Sequence, residues 1–272
     1  MILKSPDLRA LALSRQRQGA ADTAADNLRT HLSAVYALAH GSQNVFASPL
    51  GPFHFGGSEA YLPRFVFFGP HASEESWRLA FLAGFDQRDL RGSHAALSLI
   101  ERLERESETG HGLHLTFYPL VDAAGAFLGA PYRGLAACHW GRRQAPEIDL
   151  LEKDIRLQGY HGFIRIETAS SSEEIAVIRI NGASVDHLSP DLEVITTEDT
   201  DPFPVRFEAD RTVRNAVAGP LSVADDLPFS PFELTLRIPA AWTDELNQRA
   251  ASVLLQRFVW RYRAFQAYGQ HL

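Results

Sequence analysis

The stretch Trp77-Arg78-Leu79-Ala80-Phe81-Leu82-Ala83-Gly84-Phe85-Asp86-Gln87-Arg88-Asp89 decides the fold. Residues 77–85 are almost all apolar, as in a strand buried on both faces. Asp86-Gln87-Arg88-Asp89 then supplies a polar turn. Beyond it Ala95, Leu99 and Leu103 recur at helical spacing, which predicts a helix over 92–106. A buried strand that feeds a turn and then an amphipathic helix is one half of a crossover between parallel strands.

The same pattern repeats on either side. Arg64-Phe65-Val66-Phe67-Phe68 reads as a strand closed by Gly69-Pro70, and 114–121 as another, followed by a loop of Gly, Ala and Pro through Gly141. Pro146-Glu147 opens a helix of about ten residues with Ile148, Leu151 and Ile155 as its apolar stripe. Strands are expected at 162–167, 175–180 and 231–239. A long helix is expected over 243–265, with Leu246, Ala250, Val253, Leu254 and Phe258 inward, Thr243 as cap, and Asp244 and Glu245 complementing its dipole. Toward the N-terminus, Leu28, Leu32, Val35 and Ala39 mark a helix at about 23–38. Ser5-Pro6-Asp7 resembles another helix start. Residues 41–60 read as loop with a short strand, and 181–230 show no clear pattern.

This order predicts an α/β fold: a mixed, mostly parallel central sheet with helices on both faces, an α/β/α sandwich. One domain is expected over 1–272, with 1–60 packing on a core formed by 61–272. Ligands of such sheets gather at the carboxyl ends of the strands. Asp86, Asp122 and Glu167 each fall at or just past such an end.

The chain has 272 residues, is 45% hydrophobic and carries a net charge of −7, from 26 basic and 33 acidic residues. That balance argues against nucleic acid as a partner, which requires a basic face to displace counterions. No uncharged apolar run approaches the roughly 20 residues of a membrane span, so no membrane partner is expected. The first residues lack the charged-then-apolar pattern of a secretory signal, and the single cysteine, Cys138, excludes an internal disulfide. A soluble, cytoplasmic protein is the expectation.

Ala83-Gly84-Phe85-Asp86-Gln87-Arg88-Asp89 is similar to the zinc-binding loop of the metallocarboxypeptidases, nearest to the succinylglutamate desuccinylase and aspartoacylase branch. That family writes Ala-Gly-Ile-His-Gly-Asp-Glu here, with His and Glu as zinc ligands. This chain places Asp86 at the His and Asp89 at the Glu. The likeness spans about residues 60–265 and rests on order and local pattern. Tyr118-Pro119-Leu120-Val121-Asp122-Ala123-Ala124-Gly125 follows the family's Tyr-Pro and Asn-Pro-x-Gly, with Asp122 for Asn and Ala123 for Pro. Arg133 matches the first substrate-binding arginine. The second substrate motif, Asp-Leu-Asn-Arg, is replaced by Ala136-Ala137-Cys138-His139-Trp140, where His139 is the nearest stand-in. Glu167 occupies the place of the third ligand, a His, and Arg237 that of the general-base Glu.

The resemblance implies a zinc-carboxypeptidase-like, phosphorylase/hydrolase-like α/β/α sandwich whose cleft has altered chemistry. Catalytic zinc favours imidazoles with one carboxylate and an open position for water. Three carboxylates suit harder ions. An arginine stays protonated and cannot accept a proton from zinc-bound water. The expectation is therefore a non-catalytic or strongly diverged relative, a pseudoenzyme. In it Arg237 reaches into the vacated hollow and pairs with Asp86, Asp89 and Glu167, which otherwise repel one another. No cofactor is expected, and a small acidic or peptide ligand suits the cleft. The alternative is an amide hydrolase of carboxypeptidase or N-acyl amino acid deacylase type with an atypical site for zinc or another divalent cation.

Plainer readings stand beside these. Asp86 and Asp89 also suit turn and cap positions, and Glu167 an exposed strand end. The apolar residues flanking Arg237 leave its facing open. His71, His94, His111, His114, His139 and His161 show no zinc spacing. Cys138 reads as a small core or loop residue. Gly51 to Gly57 reads as a flexible surface loop without a phosphate-binding pattern, and Glu173-Glu174 and the acidic cluster at 199–201 as solvated turns.

Overall fold

The computed structural model describes residues 20–74, 76–133, 135, 145–169, 173–181, 204–210 and 231–269. The Ser5-Pro6-Asp7 helix start, Cys138, His139 and the 199–201 cluster lie outside them.

The segment 77–89 forms strand β5 (Trp77–Leu82), a loop, and helix α2 (Arg91–Arg105). Ten strands are described: β1 (Val45–Ala47), β2 (Leu50–Phe55), β3 (Ser58–Leu62), β4 (Phe65–Phe68), β5, β6 (Leu113–Tyr118), β7 (Gly162–Thr168), β8 (Ala176–Asn181), β9 (Val205–Asp210) and β10 (Phe232–Ile238). The α-helices are α1 (Ala20–Gly41), α2, α3 (Ala123–Leu128), α4 (Pro146–Gln158) and α5 (Asp244–Gly269). Eight strands make one sheet in the order β1-β4-β6-β5-β7-β10-β8-β9. Its centre, β6-β5-β7-β10, is parallel. The pairs β1–β4, β4–β6 and β10–β8 are antiparallel, and β8–β9 is parallel. The mixed, mostly parallel sheet expected from the sequence is the fold observed.

Helical stripes and strand runs make the core. Leu28, Leu32 and Val35 of α1, Ala95, Leu99 and Leu103 of α2, and Ala250, Leu254 and Phe258 of α5 are all buried with the strand residues Phe65, Phe67, Leu79, Phe81, Leu115 and Phe117. Thr243 caps α5, its Oγ1 accepting from the Leu246 amide at 3.3 Å. On the other face of the sheet α4 is anchored through polar groups. The Tyr118 hydroxyl donates to Asp154 Oδ2 at 2.5 Å and lies 2.8 Å from the Tyr160 hydroxyl, and Arg64 pairs with the other oxygen of Asp154. These are buried groups that satisfy one another.

Two loop expectations are corrected. Residues 41–60 hold β1 and most of the β2–β3 hairpin, with Phe55 opposite Ser58. The hairpin turn is Gly56-Gly57, at φ of 57° and 82°, the conformation a two-residue turn demands and one that side chains resist. The glycines thus fix a tight turn within what was read as a flexible loop. The loop expected after β6 begins with α3, capped by Asp122, whose Oδ1 accepts from the Gly125 amide at 3.0 Å. Its six residues are too few for helical spacing to show.

Candidate functional site

The loops leaving β5 and β6 run side by side. The Val121 amide bonds to the Ala83 carbonyl at 3.0 Å, and the Asp122 amide to the Gly84 carbonyl at 2.7 Å. Gly84 sits at φ 66°, where an added Cβ would lie 2.5 Å from Ser93 Oγ and 2.9 Å from the Leu120 Cα. Only glycine allows these two strand ends to approach so closely. The crossing presents Asp86, Asp89, Asp122 and Glu167 around the carboxyl ends of β5, β6 and β7.

Each acid at an expected ligand position has an arginine of its own. Asp86 takes a two-pronged contact from Arg88, Nε to Oδ1 at 3.0 Å and Nη2 to Oδ2 at 2.8 Å, and accepts the Arg88 amide at 2.9 Å. The Arg88 guanidinium lies 3.7 Å from the centre of the Tyr132 ring. Asp89 is held likewise by Arg91, at 2.9 and 2.5 Å, and Arg91 also donates to the Ala240 carbonyl beyond β10 at 3.1 Å. Glu167 pairs with Arg165, which reaches Glu233 at 3.4 Å and lies over the Phe85 ring at 5.0 Å. In all three pairs the partners are two residues apart in sequence.

Bonding from Arg88 holds the Asp86 carboxyl below its usual range, against the opposing effect of burial. For Asp89 burial is the largest influence and pushes the carboxyl up. Hydrogen bonds from Arg91 and Thr168 outweigh it, and the group lies below its ordinary value.

Arg237 does not join these acids. It pairs with Glu173 at 2.6 Å, although its Cα faces that of Glu167 across the β10–β7 pair. The single cluster expected around Arg237 is therefore corrected to separate pairs, because arginines nearer in the chain already satisfy the three carboxylates. Glu173, expected as a solvated turn residue, is a half-buried ion-pair partner. Arg133, expected to hold a substrate carboxylate, is bound to two carboxylates of the protein. Nη2 contacts Asp122 and lies 2.6 Å from Glu147 Oε1, and Nη1 lies 3.1 Å from Glu147 Oε2. Asp122 and Glu147 are 1% and 0% exposed. Burial raises the Asp122 carboxyl, and Arg133 only partly opposes it.

The donor set does not fit zinc. Among the described residues no three His, Cys, Asp or Glu side chains gather to hold a metal ion. A divalent ion placed at these carboxylates would meet the guanidinium charges already bonded to them. The arginines Arg88, Arg91 and Arg165 were missed in the sequence; the available signal was an acid and an arginine two residues apart, repeated three times at strand ends.

No protein-family profile and no curated protein matches this chain. Solved structures do. A metallo-carboxypeptidase from Burkholderia cenocepacia superposes with a TM-score of 0.64 at 11% identity, covering 86% of this chain and 68% of its own. One from Pseudomonas aeruginosa, in complex with (2-guanidinoethylmercapto)succinic acid, gives 0.63 at 14% identity over 86% and 68%. Bovine thrombin-activatable fibrinolysis inhibitor, in complex with tick carboxypeptidase inhibitor, gives 0.60 at 11% identity over 90% and 97%. The chain therefore has the zinc-carboxypeptidase-like α/β fold.

Proposed function

We propose that this protein is a non-catalytic, strongly diverged relative of the zinc carboxypeptidases and succinylglutamate desuccinylases, its metal site replaced by acid–arginine pairs. The observation that carries this reading is the pairing of Asp86, Asp89 and Glu167 with Arg88, Arg91 and Arg165. Carboxylates so bonded are poor ligands, since a metal must displace a charge-assisted bond at each one. The other parts of the family's machinery are also taken. Arg237 stands where a proton acceptor would be needed, and a guanidinium cannot serve. Arg133, at the place of the substrate-binding arginine, is occupied by Asp122 and Glu147.

What the cleft retains is a rim of guanidinium and carboxylate groups at the ends of parallel strands. That suits recognition of a small acidic or peptide ligand without turnover. No helix among the described residues is long and apolar enough to cross a membrane, and a cytoplasmic setting goes with this reading. Elemental analysis of the purified protein, with an amide-hydrolysis assay on acyl amino acids and C-terminal peptide substrates, tests it. Neither stoichiometric metal nor turnover is expected. A bound divalent ion that is lost in an Asp86→Ala, Glu167→Ala variant, together with metal-dependent hydrolysis, would establish an atypical hydrolase instead.

A further inference from the structure

A pair of histidines joins α1 to α2 beside a cavity that Arg88, Asp89 and Arg91 also line. His31 Nδ1 and His94 Nδ1 are 2.9 Å apart. The rings are inclined by only 22°, with centroids 5.2 Å apart. That separation is what a 2.9 Å contact in line with both ring centres leaves, so the rings meet edge to edge and their nitrogens point at each other. A metal ion shared by the two would need lone pairs aimed at a common point off that line. A single proton fits the rings as they stand.

The outer nitrogen of His31, Nε2, lies 3.3 Å from Glu101 Oε1. Glu101 accepts there, and that bond holds its carboxyl below the ordinary range. His31 thus carries a proton on Nε2, and one further proton between the facing nitrogens completes an N–H···N bond. A proton on each facing nitrogen would set two N–H groups against each other and abolish the bond. The other groups around the pair do not relieve that conflict. Asp244 of α5 favours charge on His94, but burial and the neighbouring His31 outweigh it, and His94 is pushed down to about 4. Arg88 and Arg91, with Asp89 between them, line the same cavity from the β5–α2 loop; Asn27 and Thr30 line it from α1, and Gln248 from α5. Arg105 acts on Glu101 and favours its ionised form.

We propose that His31 and His94 form a one-proton latch, whose double protonation on acidification releases α1 from α2 and widens the cavity of about 670 Å³ at their junction with α5. The cavity is walled on one side by α1 alone (Ala24, Asn27, Thr30, His31 and Ala34), so undocking that helix removes this wall and uncovers the partly buried Asp89, Arg91 and His94 on the facing side. The latch rests on the geometry of the two histidines, and the cavity beside it reaches Arg88, Asp89 and Arg91 of the candidate site.

Amide hydrogen exchange of α1, corrected for intrinsic rates, is the test. Between pH 7 and pH 5 protection of α1 should fall on the order of tenfold by local opening, while the central strands remain the slowest to exchange. In His94→Gln, which cannot take the second proton, α1 protection should no longer change over this range. Protection that is constant in the wild-type protein, or that falls equally in His94→Gln, overturns the latch. Nitrogen-15 spectra of the wild-type rings give a second measurement that needs no folded variant. A His94 ring still neutral at pH 5 with its Nδ1 in a hydrogen bond supports the latch; two rings titrating independently near ordinary histidine values overturn it.

Discussion

Arg237 and Glu167 face each other across the parallel pair β10–β7, yet each sends its charge elsewhere: Arg237 to Glu173, and Glu167 to Arg165. Register brings their Cα atoms side by side, but an adjacent backbone does not make an ion pair when both side chains have better partners. A double-mutant cycle on Arg237→Gln and Glu167→Gln should give a coupling energy near zero. Arg237→Gln alone should cost no more than about 1 kcal/mol, as its pair is partly exposed. Urea unfolding provides the values; a coupling well above 1 kcal/mol would mean that the two side chains meet in solution.

Arg133 is the opposite case. Its guanidinium is shared by two carboxylates that water barely reaches, so Arg133→Ala should destabilise the protein by about 3–5 kcal/mol. Arg133→Lys should recover little, because an ammonium cannot make the two-sided contact. Thermal denaturation separates this from a substrate-binding role, in which Arg133→Ala would leave stability nearly unchanged.

Stability should decline with acid before any carboxylate of ordinary strength titrates. His94 and His114 are each pushed down to about 4, chiefly by burial, and His161 is lowered for the same first cause. A histidine lowered in the folded state binds fewer protons there than in the unfolded chain. Its contribution is therefore complete above about pH 6.5 and is lost as pH falls toward 4. Denaturant midpoints measured from pH 8 to pH 4.5 should drop through this window. A flat profile would place these rings in water.

Gly84→Ala should cost roughly 2 kcal/mol or more, since the new Cβ meets both a left-handed backbone and the Leu120 Cα. The loss should spread the β5 and β6 ends and lower the melting temperature. A neutral effect would show that the two loops do not cross as closely as they do here.

Rebuilding a zinc site should depend on arginines as much as on ligands. Asp86→His, Asp89→Glu, Glu167→His and Arg237→Glu together leave Arg88, Arg91 and Arg165 in place. Adding Arg165→Leu should improve zinc affinity at least about tenfold over the four changes alone, by removing a like charge beside the site. Competition with a chromogenic chelator measures this. Equal affinities would show that Arg165 does not compete with a cation there.

The pattern of apolar residues was enough for the architecture. The run through β5, the helical stripes of α2 and α5 and the repeated strand–helix order specify which surfaces must leave water, and burial of those surfaces requires a layered, largely parallel sheet. Short elements escaped this reading. Six-residue α3 and three-residue β1 carry too few positions for a period to appear, and the Gly56-Gly57 turn is set by backbone angles that composition alone does not reveal. The sequence also located Asp86, Asp122 and Glu167 at or just past strand ends. It did not say which cations would satisfy them. Arg237, Arg165, Arg91 and Arg88 are equivalent charges on paper, and which acid each one reaches depends on side-chain facing, burial and distances of a few ångströms. Those are settled only when the strands pack, because charged groups that lose water must take whatever partner the closed structure puts within hydrogen-bond reach.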